Sequence, residues 1–308
     1  MLSIESEERK GYVVSAKMKK VWQVQLTLVE KLLEVCEKHH LKIWADGGTL
    51  LGTVRESGFI PWDDDIDMAM LRPDYDKLVE ISAKEFTSPF FFQCGYSEKV
   101  YPFGHSQLRM DGTTAILNGT NLLPLKIHQG IFIDIFPYDA EPDDVCEYEK
   151  LVVLRGRTAA LMDRVAEFDF YHPYRSINHL RFKKDFPKLY KSYEDLFRKY
   201  SIDNNNRVSC LSFILDKEKL SRDKHWYDDT LLMPFENIEM PVPIGYDSIL
   251  RKQYGDYMTP IKAPSYHGGF WVLDPDQSYH SYLFKYKLRI IFDRLNGLWA
   301  RIRQKLKL

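Results

Sequence analysis

Residues 63–67 read Asp63-Asp64-Asp65-Ile66-Asp67, which places four carboxylates in five positions. Such a run repels itself unless cations sit among the acids. Drawn as a strand, it turns Asp63, Asp65 and Asp67 to one face and Asp64 to the other. The Asp65 and Asp67 Cβ atoms are then roughly 7 Å apart, within reach of one hard cation or a metal pair. Mg2+ or Mn2+ suits a set of carboxylate, water and phosphate oxygens. The plainer alternative is a solvated acidic loop or a helix N-terminus. The flanks, Trp62 on one side and Ile66, Met68, Ala69 and Met70 on the other, embed the run in core-like sequence and favour the metal. Asp134 is the candidate third acid, because it lies inside the apolar run Ile131–Pro137, where an unpaired carboxylate is costly. Asp139, just beyond it, fits better as the partner of an arginine or the cap of a turn.

Gly47-Gly48-Thr49 lies shortly upstream, between a predicted strand and a predicted helix. Glycine lets backbone approach a phosphate closely, and a helix N-terminus offers unpaired amides to an anion. Thr49 would cap the helix or bond a phosphate oxygen. A Gly-Gly turn alone is common and structural. Ahead of an Asp-x-Asp strand it gains meaning, with one element holding phosphates and the other the metal that bridges them. Arg55, between the two, either neutralises a phosphate or braces Asp63, and Arg72 and Arg109 carry the same two readings. His128 is either a phosphate donor or a structural histidine.

The elements that must position these residues follow from periodicity. Trp22, Leu26, Val29, Leu33 and Cys36 form one apolar stripe and predict a helix over about 17–39. Leu41–Ala45 predicts a strand, Thr49–Val54 a short helix, and Tyr75–Phe86 a helix opening at Pro73-Asp74. Further strands are expected at Phe90–Cys94, Phe103–Met110, Thr113–Leu117 and Ile131–Phe136. Helices are expected over 143–168 and 183–200, with a strand at Val208–Leu215. Met240–Ile244 is too rich in proline for a central strand. The last 30 residues predict a basic amphipathic helix with Leu288, Ile291, Leu295, Leu298 and Ile302 on one face. The fold class expected is α+β, a small mixed sheet with flanking helices and a largely helical C-terminal half. The corresponding division is an extension at 1–16, a catalytic core at 17–142, a completing part at 143–274 and the C-terminal helix at 275–308.

The chain has 308 residues, 44% of them hydrophobic and 28% charged, a balance that excludes a disordered chain. Lys plus Arg is 43 and Asp plus Glu is 44, a net of −1. Residues 284–308 hold eight basic side chains and one acid, Asp293, a net of +7, which leaves −8 for the rest. An acidic body argues against nucleic acid, while the basic tail suits an anionic surface such as the inner face of a membrane. A solvated basic face on a packed helix is the equal alternative. Cys36, Cys94, Cys146 and Cys210 form no CxxC pair and predict reduced, mostly buried thiols. With no signal-peptide core and no apolar run near 18 residues, the expected location is the cytoplasm, with peripheral contact at the inner membrane as an option.

Together these motifs resemble the LicD family, which is related to fukutin and fukutin-related proteins. The resemblance is carried by the stretch Asp46–Asp67, by Arg72-Pro73-Asp74-Tyr75, by Gln129–Asp139 and by Gln253–Met258, so it spans roughly residues 20–265. It implies a nucleotidyltransferase fold and transfer of a phosphorylated alcohol, phosphocholine being the best-known case, from a CDP-linked donor to a sugar of a lipopolysaccharide, capsule or teichoic acid. It implies Asp65 and Asp67 as the metal pair, Asp134 as the third acid, Asp63 as an acid beside them and Gly47, Gly48 and Thr49 as the phosphate turn. An acceptor hydroxyl would attack the distal phosphorus and CMP would leave, with Asp134 or Asp63 taking the proton. Glu56 stands where relatives often carry a basic residue, and Leu122–Lys126 reads as a variable insert. Tyr254, Tyr257, Tyr266 and Trp271 form either an aromatic box for a quaternary ammonium or ordinary packing. The alternatives are a nucleotidyltransferase that moves an NMP from an NTP to a sugar or small alcohol, and an inactive binding module.

Overall fold

A computed structural model of the chain describes residues 3–118, 123–171, 185–213, 220–261 and 269–306. The elements run β1 (Glu7–Arg9), β2 (Tyr12–Val14), α1 (Ala16–Lys38), β3 (Trp44–Ala45), α2 (Gly47–Glu56), β4 (Asp67–Leu71) and α3 (Arg72–Glu85). They continue with β5 (Phe90–Gln93), β6 (Ser106–Met110), β7 (Thr114–Leu117), β8 (Phe132–Ala140), α4 (Val145–Tyr171) and α5 (Phe186–Arg198). The chain then forms β9 (Arg207–Ser209), β10 (Arg222–Asp223), β11 (Thr230–Phe235), β12 (Ile238–Pro243), α6 (Tyr246–Tyr254), β13 (Phe270–Asp274) and α7 (His280–Leu306).

The central sheet is mixed and has seven strands. β8 is its hub: β4 lies parallel to it, with Asp67 opposite Asp134, while β6 and β9 pair with it antiparallel. β3 extends the sheet beyond β4, β5 beyond β6, and β10 beyond β9. Pairing and pleat assign the faces. Met68, Met70, Ile133 and Ile135 share one side and are sealed in the main core with Trp22, Leu26 and Val29 of α1. Asp67, Gln107, Asp134 and Tyr138 share the other side, so the apolar face is spent on α1 and the acids are left on the face toward α2.

The expected mixed sheet with flanking helices is present. The C-terminal half, however, is less helical than expected, because it contributes β9 to β13. Short strands there lack the long alternating runs that make a strand legible in sequence. Most of the proline-rich segment is in β12, which among the described residues pairs only with β11, so each strand of that ribbon is an edge and Pro241 and Pro243 cost no central ladder bond. The predicted strand beginning at Val208 ends at Ser209 and gives way to a 3-10 turn at Leu211–Phe213; its remainder lies outside the described residues, as do Leu122 of the expected insert and Tyr266. Cys36, Cys94 and Cys210 are buried free thiols, and Cys146 is exposed. Among the described residues no helix is long and apolar enough to cross a membrane.

Candidate active site

The acidic run is not a strand from its first residue. Residues 63–66 form an irregular approach, and β4 begins only at Asp67. The strict alternation expected for Asp63, Asp64 and Asp65 therefore fails: ligand oxygens of all three lie within 4.8 Å of one another. Asp64, placed on the far face by the strand pattern, joins the group. Two donors from α1 fix this approach, Trp22 Nε1 to the Asp63 carbonyl at 3.1 Å and Gln25 Nε2 to the Asp64 carbonyl at 2.9 Å. The Asp134 amide closes it by donating to the Ile66 carbonyl at 2.9 Å.

α2 starts at the glycines themselves, two residues earlier than its apolar pattern suggested. Gly47 has φ +51°, and a Cβ there would lie 2.9 Å from Asp67 Oδ2. A Cβ on Gly48 would lie 2.8 Å from Asp63 Oδ2. Both glycines thus leave room for carboxylates, which brings the glycine turn and the acids into one site. Thr49 does not cap the helix. Asp46 is the N-cap residue, and the buried Thr49 Oγ1 accepts from the Asp67 amide at 2.8 Å, tying α2 to β4. The Asp46 carboxylate makes no cap bond either; it accepts from Tyr138 Oη and from Arg222 Nη1, each at 2.7 Å.

Charge is concentrated here. Burial, then the charges of Asp65, Asp134, Asp46 and Asp63, hold the Asp67 carboxyl well above its ordinary range. Burial, then the charge of Asp65 and a hydrogen bond with it, and the charge of Asp64, do the same for Asp63. A half-buried, all-oxygen set with excess negative charge suits a hard divalent cation: the carboxylates of Asp63, Asp64 and Asp65 converge, and Asp67 and Asp134 stand in register on the strands beside them. Asp134 is oriented by Gln107 Nε2 at 2.7 Å and by His105 Nε2 at 3.1 Å.

Several expected ligands sit elsewhere. Arg55, two helical turns past the glycines, donates to Glu56 Oε1 at 2.7 Å and to the Tyr257 carbonyl at 3.0 Å; it neither meets the acids nor braces Asp63. Arg109 is buried, donates to the Gly130 carbonyl at 2.7 Å and to Gln93 and Gln107, and lies over the Phe132 ring. Its guanidinium therefore steadies Gln107, which in turn holds Asp134, and is not free for a phosphate. Burial lowers its pKa to about 10. Arg72 grips Asp139 at 2.5 and 2.9 Å, the arginine pairing expected of Asp139. His128 bonds Asp111 and the Gly130 amide, and burial lowers its pKa to about 4, so its role is structural. The aromatic set does not converge: Trp271 packs on Tyr286, and Tyr257 Oη donates to Asp247. Among the described members of the set, Tyr254 alone approaches the acids; desolvation and then the charges of Asp46 and Asp67 raise its phenol pKa.

His105, Gln107 and Arg222 are site residues that sequence reasoning missed. For His105 and Gln107 the signal exists only in pairing, since Gln107 stands opposite Asp134 once β6 joins β8. Arg222 is separated from Asp46 by 176 residues and carries no local signal.

Comparison with known proteins falls on these elements. The family described as LicD/FKTN/FKRP, nucleotidyltransferase domain, matches residues 40–152. The lipopolysaccharide cholinephosphotransferase LicD of Haemophilus influenzae is 25% identical over 244 residues, covering 76% of this chain and 89% of the relative. Over residues 40–152 the chain is similar to the LicD family. An uncharacterized protein of Rickettsia prowazekii is 35% identical over 31% of this chain and 33% of its own length. One of Rickettsia typhi is 39% identical over 23% of this chain and 21% of its own. The LicD match at 40–152 takes in α2, β4 and β8 and hence every candidate acid, whereas Trp22, Gln25, Arg222 and Tyr254 lie outside it.

Proposed function

We propose that this protein is a metal-dependent phosphotransferase of the LicD type, built on a nucleotidyltransferase fold. It moves phosphocholine or a related phospho-alcohol from a CDP-linked donor to a hydroxyl of a lipopolysaccharide-type glycan and releases CMP. Kinship with a protein named as a lipopolysaccharide cholinephosphotransferase supports the reaction class and the acceptor class. The observation that carries the reading is the register of Asp67 with Asp134 on parallel strands, beside an α2 N-terminus whose glycines abut Asp67 and Asp63.

The parts divide the work. Asp65, Asp67 and Asp134, with Asp63 beside them, would hold a divalent cation, which would supply the positive charge that a pyrophosphate donor requires. The first amides of α2 offer hydrogen bonds to a phosphate oxygen. His105 and Gln107 fix the Asp134 carboxylate, and Arg222 fixes Asp46 at the helix entrance, so the acids meet the donor already oriented. The acceptor oxygen forms a bond to the distal phosphorus as the bond to the CMP phosphate breaks, and the hydroxyl proton passes to Asp134 or Asp63.

The test is turnover. The protein is incubated with Mg2+, a glycan acceptor and a panel of CDP-alcohols or NTPs, and CMP and pyrophosphate are followed. CMP release from a CDP-alcohol is expected, and Asp65→Ala and Asp67→Ala should each lower it by about 100-fold or more. Pyrophosphate release from an NTP, or wild-type rates in both variants, overturns the reading.

A further inference from the structure

The C-terminal helix has two apolar faces and the fold uses one. Tyr286 and Ile290 of α7 are sealed against Ile116, with Leu125, Trp271 and Tyr282 packed around them. Arg289 on that side lies over the Trp271 ring and pairs with Asp293, the sole acid of residues 284–308. Phe284, Leu288, Ile291, Phe292, Leu295, Trp299 and Ile302 are all exposed, Phe284 at 71% and Trp299 at 63%. At 3.6 residues per turn these seven fall in one stripe about 100° wide, roughly opposite the packed face. The described residues therefore leave them uncovered, and a stripe this long is not the scatter of single apolar residues that surfaces ordinarily show.

Charge says what covers the stripe. Lys285 and Arg303, both exposed, border it near its two ends, and the last 25 residues carry eight basic side chains against one acid that is already paired. An apolar stripe edged by cations is the composition of a helix that lies in a lipid interface, rings and aliphatic chains below and ammonium groups at the level of anionic headgroups. We propose that α7 lies flat on an anionic membrane surface, with Leu288, Leu295 and Trp299 immersed and the opposite face still holding the globular body through Tyr286 and Ile290. A second copy would bring the same cations against one another along the stripe, which charge disfavours. This inference is independent of the phosphotransfer reading, because its readout requires no turnover.

Vesicle sedimentation of the full chain tests it. Wild-type protein is expected to bind vesicles containing phosphatidylglycerol, to bind phosphatidylcholine vesicles at least about tenfold more weakly, and to be released by high salt. The double variant L295E/W299E should lose binding while keeping the wild-type melting temperature, since neither side chain touches the core. K285E/R303E should weaken binding to the anionic vesicles about tenfold. No binding to the anionic vesicles, equal binding to the neutral ones, or undiminished binding by L295E/W299E overturns the proposal. So does a wild-type dimer that L295E/W299E converts to monomer, which would make the stripe a subunit interface.

Discussion

Asp67 shows how a side chain suited to binding works against folding. It is half-buried, and four other carboxylates act on it. Its folded-state pKa is raised above the ordinary 3.8, so the native state holds its proton more tightly than the unfolded chain does. The sign follows: this contribution is intact below the unfolded pKa and is lost as pH rises from there through the folded value. Asp67→Asn is accordingly expected to raise the melting temperature of the metal-free protein at pH 7. The gain should shrink to nothing as pH falls to about 4, measured by thermal denaturation across that range. Mg2+ should stabilise the wild type and leave Asp67→Asn unmoved, as a ligand that binds only the native state must. Gly47 and Gly48 belong to the same argument. Each stands where any side chain would strike a carboxylate oxygen, so the glycines exist as much for the acids as for a phosphate.

At the scale of elements, the acidic face depends on anchors set behind its carboxylates. α3 opens with Arg72, whose guanidinium is buried and bidentate on Asp139 at the end of β8, with Glu194 of α5 also 3.4 Å away. One guanidinium thereby joins two helices to the hub strand of the sheet. Burial alone would lower the Arg72 pKa, but the Asp139 carboxylate and then Glu194 hold it well above its ordinary value. Removing one partner of such a pair leaves an uncompensated buried charge. Asp139→Ala should therefore cost about 3–5 kcal/mol in urea unfolding, with an unchanged m-value if only stability is altered. α1 supplies a second anchor: Gln25, 3% exposed, holds the Asp64 carbonyl, and Trp22 stacks on Phe59 with ring centres 4.4 Å apart while its indole N–H holds Asp63.

The whole molecule divides its charge in the way its parts are used. The body's excess of −8 is partly a local concentration of acids at the mouth of α2, and the tail's +7 edges an apolar stripe that the fold leaves uncovered. The C-terminal helix has two energetic regimes along its length. Its first turns are in the core through Tyr286 and Ile290, and its later turns add exposed apolar surface. A chain ending at Asp293 should keep the wild-type melting temperature. A chain ending at Gln277 should melt several degrees lower, since Ile116 loses its cover, and calorimetry of the two truncations separates the regimes.

The sequence alone singled out the candidate acids and most of the elements that bear them. Asp63, Asp65, Asp67 and Asp134 were legible because repeated or isolated carboxylates in apolar surroundings demand an explanation, and α1, β8 and α7 because their periods are long. Pairing of Asp139 with an arginine was foreseen in kind, though not in partner. What only the tertiary structure decided is where the long polar side chains go. Arg55, Arg109 and His128 could each have met a phosphate, and each instead satisfies a neighbour that strand order and helix placement bring near. His105, Gln107 and Arg222 became site residues by the same means, through pairing of β6 with β8 and through contact across 176 residues of chain. Local pattern fixes which face a side chain leaves from, because the backbone repeats every 2 or 3.6 residues. The atom it reaches is fixed by non-local register, which has no period in the sequence.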